Sequence, residues 1–506
     1  MIPFFRKYHK WLGIFFSVFL IFYSLSGIVL NHRSLFAGLE VSRAWMPNGY
    51  TYDNWNLGAL RGSANIGNDS ILMYGNMGVY LANDQLEDLK DFSQGLDKGM
   101  DNRKIFKIHQ SKTGNLYMAT LNGAFVRNSD SESWKKIPIK THDERFVGIT
   151  EKDGQIILLS RSLVYISEDK PSELNFKEIT LKNPSGYDNK IGLFKTMWFI
   201  HSGEIYGSIG KLLIDLVGLV FIFLSIGGIV YFFMPRRIKK KHLKGESIEQ
   251  LKGFHQWNIS WHNKIGYWFI PLLLLTTTTG IFLRPPGLIA IASAKVAKIP
   301  FTTLDEPSAW FDKLRAIHYD TLRGEYIMIT DEAAYTIDAK LSGVPLLSPS
   351  QPPISIMGVT VLEQTAPNTY LVGSFSGLFL WNPDQNLVYD FQNKKPYEEI
   401  ESSGPPIKNS SIQGWVKNGN HEGFYVDYGV GLIPSDSLFT APEMPQIIKE
   451  KPISLWNLAL EIHTARYFSF IFGIFYMLLI PIVGLSAIFI LVSGFIVWWK
   501  KYRNKR

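Results

Sequence analysis

Eleven histidines and no cysteine among 506 residues set the chemistry this chain can do. Without thiols there is no disulfide, no covalently attached c-type haem, no iron–sulfur cluster, no thiolate zinc site and no cysteine nucleophile. A metal centre has to use His, Met, Asp, Glu or Tyr, and a redox group has to be held without a covalent link. Four histidines stand in related settings. His9 and His262 each lie four residues ahead of a glycine, in Arg6-Lys7-Tyr8-His9-Lys10-Trp11-Leu12-Gly13 and Ile259-Ser260-Trp261-His262-Asn263-Lys264-Ile265-Gly266. His201, in Phe199-Ile200-His201-Ser202-Gly203, matches His463, in Glu461-Ile462-His463-Thr464-Ala465. Imidazole suits iron, and a b-type haem asks only for axial side chains and an apolar slot.

The elements that must position these residues are apolar. Residues 11–30, 212–234, 265–283 and 467–499 are each long enough for a membrane span, which takes about 20 apolar residues. The last is interrupted by Pro481. The first follows Arg6, Lys7 and Lys10, as a secretory signal would. Its apolar run is too long for one and no small-residue cleavage site follows, so it reads as a retained helix. Lys and Arg cluster in residues 1–10, 235–263 and 500–506, which lie on one side of a four-span chain. The positive-inside rule makes that side cytoplasmic, with both termini inside and segments of about 31–210 and 284–466 outside. Those three pieces carry fifteen basic and two acidic residues, so the net +8 divides into +13 there and −5 elsewhere. The surplus therefore reports orientation in a lipid bilayer. No basic stripe with interleaved aromatics points to nucleic acid.

The outer segments alternate in short runs around Gly, Asn or charged turns, as β-hairpins do. Such runs occur at 70–82, 115–127, 155–167, 325–338, 368–381 and 423–434, about three hairpins per segment, resembling propeller blades or a sandwich. Pro- and Ser-rich stretches at 348–355 and 402–411 read as loops. The expected fold is a membrane α-helical four-helix bundle made of two parallel helix–β-domain–helix repeats, with two extracytoplasmic β-rich domains. Its parts are a helix over 1–33, a β-rich domain over 34–195, a helix over 196–235, a basic cytoplasmic loop over 236–262, a helix over 263–284, a second β-rich domain over 285–455, a helix over 456–499 and a basic tail over 500–506.

The repeat places His9 and His262 at the inner end of the bundle and His201 and His463 at the outer end, and pairs them in that way. Late in each span a Ser or Thr stretch meets glycine, at Ser26-Gly27, Ser225-Ile226-Gly227-Gly228, Thr279-Gly280 and Ser493-Gly494. Such small residues let helices and a flat macrocycle approach closely. His32, just past the first span, competes for the outer site. Arg33, Lys195, Arg284 and Arg466 lie near the outer boundary and could pair with haem propionates. A single histidine at a helix end most often caps it or sits in the interface, so the repeat carries the reading. His242 and His255 read as exposed in the basic loop, and His109, His142, His318 and His421 as surface residues of the outer domains. Asp215 is the acid well inside an apolar segment, with Lys211 four residues earlier as a partner.

The motif around His9, with a span ending Ser26-Gly27, resembles the PepSY-associated transmembrane helix family. The Ile-His-Ser-Gly element at His201 matches its second signature, and His463 matches with Ala465 in place of the usual glycine. The outer hairpins depart from ordinary PepSY domains. The resemblance implies an inner-membrane ferric-siderophore reductase holding two b-type haems, with His9, His201, His262 and His463 as ligand candidates and His32 as a competitor. It implies one-electron reduction of a ferric siderophore or other ferric chelate in the periplasm, releasing Fe(II). No dinucleotide fingerprint such as G-x-G-x-x-G after a strand occurs, so the electron donor is external, a quinol or a cytoplasmic reductase. The alternatives are a non-redox sensor or ligand- or peptide-binding protein whose histidines only cap helices, and a permease for the chelate.

Overall fold

The computed structural model describes residues 2–67, 70–83, 85–171, 173–355, 357–385, 387–398, 411–418, 421–436 and 439–503. The chain divides into two compact units, one of Met1–Phe36, Asn189–Glu306 and Leu455–Arg506, the other of Ala37–Asp188 and Pro307–Ser454.

The first unit is built on helices α1 (Ile2–Asn31), α2 (Leu193–Ser202), α3 (Gly207–Leu243), α4 (Glu249–Phe282), α5 (Leu455–His463) and α6 (Tyr476–Arg503). Four helical stretches, containing α1, α3, α4 and α6, are long and apolar enough to cross a membrane. α1 packs on α3 and α6, and α4 packs on the same two; the short α2 lies against α4 and the short α5 against α1. Phe16, Val217, Val220, Phe221, Leu273, Leu479 and Val483 fill the interior. Phe15, Val18, Leu25, Leu216, Leu219 and Ile482 remain exposed on the outside. So many apolar side chains facing outward suit lipid and would be costly in water. The chain is thus a membrane protein. The loop expected over 236–262 is mostly helix: α3 runs on to Leu243 and α4 begins at Glu249. Lys, Arg, Glu and Gln are good helix formers, so both helices continue past the apolar runs.

The second unit is β-rich. Its inner strands are Gly62–Asn65, Ile105–Gln110, Phe146–Lys152, Leu314–Asp320, Val359–Ala366 and Ile412–Asn418. Each begins an antiparallel meander, and the inner strands touch one another in that order. The ring closes where Gly62 pairs in parallel with Trp415. This is a six-bladed propeller. The six expected hairpins become the second and third strands of the six blades, for example Gln155–Ser160 with Val164–Glu168. The second strands do not alternate: Ile156, Ile157, Leu158 and Leu159 are all 0% exposed. A strand pressed between two neighbouring blades is buried on both faces, so its run is continuously apolar. Residues 402–410 of the second expected loop lie outside the described residues.

The two outer segments give three blades each to one ring, where two separate β-rich domains, 34–195 and 285–455, were expected. The reason lies at the seams. Ile157, Leu159 and Val164 share a core with Leu314, Ile317 and Met328, and Ile71, Met73 and Tyr80 share one with Val416, Phe424 and Val426. Three blades alone would leave both apolar end faces in water.

Polar side chains from the inner strands meet inside the ring. Lys107 of the second blade forms an ion pair with Glu363 of the fifth, directly opposite, and Lys417 approaches the same carboxylate at 3.6 Å. His109 Nε2 lies 3.2 Å from Glu151 Oε2 and His318 Nε2 lies 3.0 Å from Gln364 Oε1. His109 and His318 are therefore half-buried inner-strand groups with hydrogen-bond partners rather than surface residues, while His142 is exposed; the side chain of His421 lies outside the described residues. Burial holds both imidazoles below the ordinary 6.5, against the opposing pull of Glu151 and Gln364. Burial would raise Glu363, but the two ammonium groups more than reverse this and hold it below the ordinary 4.5. As pH falls below 6.5 the unfolded chain takes up protons that the folded imidazoles resist, and stability drops. Below 4.5 the Glu363 contribution is lost as well, as pH falls through its folded value. Tryptophan-monitored thermal unfolding should therefore show a lower midpoint at pH 5 than at about pH 7.5. Replacing both imidazoles (His109→Gln, His318→Gln) should flatten that slope; a midpoint that rises on acidification contradicts the assignment.

Candidate functional site

Within the helical unit the four repeat-related histidines meet in two pairs. His9 on α1 and His262 on α4 have ring centroids 6.4 Å apart at 86°. His201 in the last turn of α2 and His463 at the end of α5 stand 6.0 Å apart at 56°. Three of the four rings are seated in the same way. His9 Nδ1 lies 2.9 Å from Ile490 O and 3.3 Å from Ser493 Oγ. His201 Nδ1 lies 2.9 Å from Thr276 O and 3.3 Å from Thr279 Oγ1. His463 Nδ1 lies 2.9 Å from Tyr23 O and 3.1 Å from Ser26 Oγ. A carbonyl oxygen can only accept, so Nδ1 carries the proton in each ring and Nε2 keeps its lone pair.

Each accepting carbonyl comes four residues before a glycine, and the glycine makes room for the ring. A β-carbon on Gly494 would stand 2.8 Å from His9 Cε1, one on Gly280 2.8 Å from His201 Cε1, and one on Gly27 3.2 Å from His463 Cε1. Three of the Ser/Thr-Gly endings are therefore imidazole seats, where the sequence suggested close approach of helices and a flat macrocycle. The carbonyls of Ile490, Thr276 and Tyr23 were invisible in the sequence, because any helical residue offers one. His262 is the exception: its Nδ1 is buried with no hydrogen-bond partner among the described residues.

The two pairs have a fixed spacing. His463 is seated on Tyr23, fourteen residues beyond His9 on α1, and His201 on Thr276, fourteen beyond His262 on α4. At 1.5 Å per residue both helices separate the pairs by about 21 Å. A metal between two imidazole nitrogens at about 2.0 Å each would put the ring centroids about 6.3 Å apart. The observed 6.4 and 6.0 Å fit that separation. Among the described residues no group of three or more His, Asp and Glu side chains converges.

The remaining candidates have other places. His32 does not join the His201–His463 pair: its Nε2 lies 2.5 Å from Asp215 Oδ2, and Asn31 Nδ2 donates to Asp215 Oδ1 at 3.1 Å and to Ser202 O at 3.2 Å. Lys211 pairs with Glu204 at 2.8 Å, so the expected Lys211–Asp215 contact gives way to His32, which the end of α1 brings beside α3. Arg284 Nη2 donates to Thr464 O at 3.1 Å, next to His463, and Arg466 Nη2 bonds Glu461 Oε1 at 2.5 Å. Arg466 Nε and Tyr23 Oη are buried with no hydrogen-bond partner among the described residues. Arg33 covers the Trp456 ring at 3.6 Å, and Lys195 lies 5.8 Å from the Phe199 ring centre. His255 lies on α4 stacked on Tyr231 at 5.7 Å and is not an exposed loop residue; His242 is exposed.

The family model for the PepSY-associated TM region matches residues 3–234 and 142–501. No curated protein matches the chain. The chain is similar to the extracellular domain of a protein assigned to a hybrid two-component system of Bacteroides thetaiotaomicron, at 10% identity and TM-score 0.35, over 74% of this chain and 32% of that one. It thus spans about a third of that structure. It is also similar to a protein of unknown function from Bacteroides thetaiotaomicron, at 9% identity and TM-score 0.33, over 78% and 74% of the two chains. A third likeness is to PorZ, a surface component of the type-IX secretion system of Porphyromonas gingivalis, at 9% identity and TM-score 0.27, over 78% and 39%. Scores this low carry no conclusion about fold or function.

The glycine seats make a stability prediction. Gly494→Ala and Gly280→Ala force a β-carbon into an imidazole, an overpacking cost of about 1–3 kcal/mol, set against about 1 kcal/mol of better helix propensity. Gly13 has nothing within 4 Å of its β-carbon position, so Gly13→Ala should gain stability. Thermal unfolding of the purified protein in detergent should rank Gly13→Ala above the parent and both seat variants below it.

Proposed function

The chain belongs to the family of PepSY-associated TM regions, and on that footing we propose that it is an inner-membrane b-type haem protein that carries electrons across the membrane to reduce a periplasmic ferric chelate, a ferric siderophore above all, releasing Fe(II) for uptake. The observation that carries this reading is the pairing of four similarly placed histidines at metal-bridging separation, twice, about 21 Å apart along the helices. His9 with His262 and His201 with His463 would hold two haems through their imidazoles, and the haems would supply one-electron couples.

The residues do the rest by position. Nδ1–H bonds to helix carbonyls fix the ring planes and raise the basicity of Nε2 toward iron. Glycine lets the rings lie against the backbone, and Phe16, Val217, Leu273 and Leu479 keep the interior dry. Arg284 and Arg466, beside His463, are the cations suited to haem carboxylates. The Asp215–His32 contact gives the carboxyl group in the span a hydrogen-bond partner and ties the end of α1 to α3. Fe(III) is bound tightly by hard oxygen chelators and Fe(II) far less so, so one electron frees the metal and leaves the chelator intact. By the positive-inside rule the basic flanks favour cytoplasmic termini and a periplasmic propeller. A quinol or a cytoplasmic reductase is the donor.

Absorption spectra of the full-length protein from haem-replete cells test this. A Soret band with split α and β bands on reduction, at two haems per chain, is the expected result. His9→Ala and His463→Ala should each bring the ratio to about one, since each removes one axial ligand of a different pair. A colourless preparation favours the non-redox ligand-binding reading, and unchanged haem content in both variants removes the ligand assignment.

A further inference from the structure

One of the four imidazole seats is incomplete. At His9, His201 and His463 a hydroxyl next to the seat glycine adds a second acceptor: Ser493, Thr279 and Ser26. The repeat puts Gly227 at the corresponding place on α3, ahead of Gly228, so the hydroxyl is missing there. His262 is also the ring whose buried Nδ1 has no partner among the described residues. One turn before it on α4 stands Asn258, only 3% exposed, with Nδ2 donating to Gly227 O at 2.9 Å. Asn258 Oδ1 and His262 Nδ1 both come within 3.2 Å of the point a Gly227 β-carbon would take. Side chains four apart on a helix are neighbours, so the amide oxygen and the unpartnered imidazole nitrogen face the same point beside Gly227, with no hydrogen bond between them in this structure. The equivalent position before His9 is Phe5, so the first repeat has no such amide.

We propose that Asn258 is the positioning residue of His262, its Oδ1 accepting the Nδ1–H bond that a Ser or Thr hydroxyl and a helix carbonyl accept at the other seats. The Nδ2 bond to Gly227 O anchors the amide and aims its oxygen. A buried imidazole N–H without an acceptor is costly, which favours this partner over none. The polarity of the seat follows: at His9 the acceptors come from the facing helix α6, at His262 from its own helix. Gly227 is then favoured as glycine for a reason its equivalent Ser493 does not share, since a β-carbon there would lie 3.2 Å from both Asn258 Oδ1 and His262 Nδ1 and crowd the amide between them.

This inference rests on the haem reading for its redox consequence and is independent of it for the hydrogen bond. Histidine-selective ¹⁵N NMR of the full-length protein in detergent micelles reports the Nδ1–H tautomer of His262 whether or not haem is bound. Loss of that tautomer's hydrogen-bonded signal in Asn258→Ala, with the other three rings unmoved, supports the proposal; an unchanged His262 signal overturns it. In haem-loaded protein, Asn258→Ala should raise the midpoint potential of one haem of the two, because removing an acceptor from Nδ1–H makes Nε2 a poorer donor to Fe(III). A tenfold weaker ferric preference reads as about 59 mV. Gly227→Ser alone should lose the haem at that pair, while Gly227→Ser combined with Asn258→Ala should restore the parental potential, the new hydroxyl taking over the seat. A double variant no closer to the parent than Asn258→Ala contradicts the proposal. Should the parent bind no haem, the haem reading falls and the NMR result alone decides this one.

Discussion

A membrane helix satisfies its own backbone, and its carbonyls can accept a second hydrogen bond only from a group that comes very close. The helical unit depends on three such approaches. In each, an imidazole Nδ1–H meets the carbonyl four residues before a glycine, and the missing β-carbon is what allows the ring to reach it. The bond does two things at once. It holds one helix against another where lipid gives no hydrophobic drive to associate, and it fixes the tautomer so that Nε2 is the nitrogen left to act. The fourteen-residue offset from His9 to Tyr23 and from His262 to Thr276 sets the two imidazole pairs at matching depths on both sides of the bundle.

The β-rich unit answers a different constraint. Its blades are apolar on both broad faces, so a half ring cannot stand alone, and the two cores that join Ile157 to Leu314 and Ile71 to Val416 are the places where one outer segment meets the other. Two chain segments separated by a membrane hairpin thus depend on each other for burial. The inside of the ring carries charges that are paired across it, Lys107 with Glu363, which spares them the cost of an unpaired buried ion.

What could be read from the sequence follows from which signals are local. The six hairpins were legible because strand–turn–strand patterns are short, and the histidine and glycine repeat because it is periodic. Ring closure was not, since it is decided by which apolar faces find each other over some 350 residues (Gly62 to Trp415 is a case in point). Lys211 offered the obvious partner for Asp215 at helical spacing, but the end of α1 delivers His32 to that carboxylate and Glu204 takes the lysine. His109 and His318 look like ordinary polar strand residues, and only the packing of neighbouring blades puts them beside Glu151 and Gln364. Asn258 carried no sequence signal at all, because its importance lies in a hydroxyl that Gly227 lacks.

The differences between the two repeats are therefore more informative than their likeness. Gly203 ends α2 in the left-handed conformation, and Ala465 ends α5 in the same one, at φ 61. A side chain there costs about 1–2 kcal/mol. Gly203 could not carry it, because its β-carbon would stand 2.1 Å from Gly210 O; Ala465 can, and its methyl is fully buried in the core with Phe16, Leu479 and Val483. The strain at Ala465 is thus offset by packing that the first copy has no room for. Gly227 and Asn258 make the same kind of exchange at the other end of the bundle, an acceptor lost from one helix and regained on its neighbour. Two copies of one framework hold the same four rings in place, and each copy does so within its own steric limits.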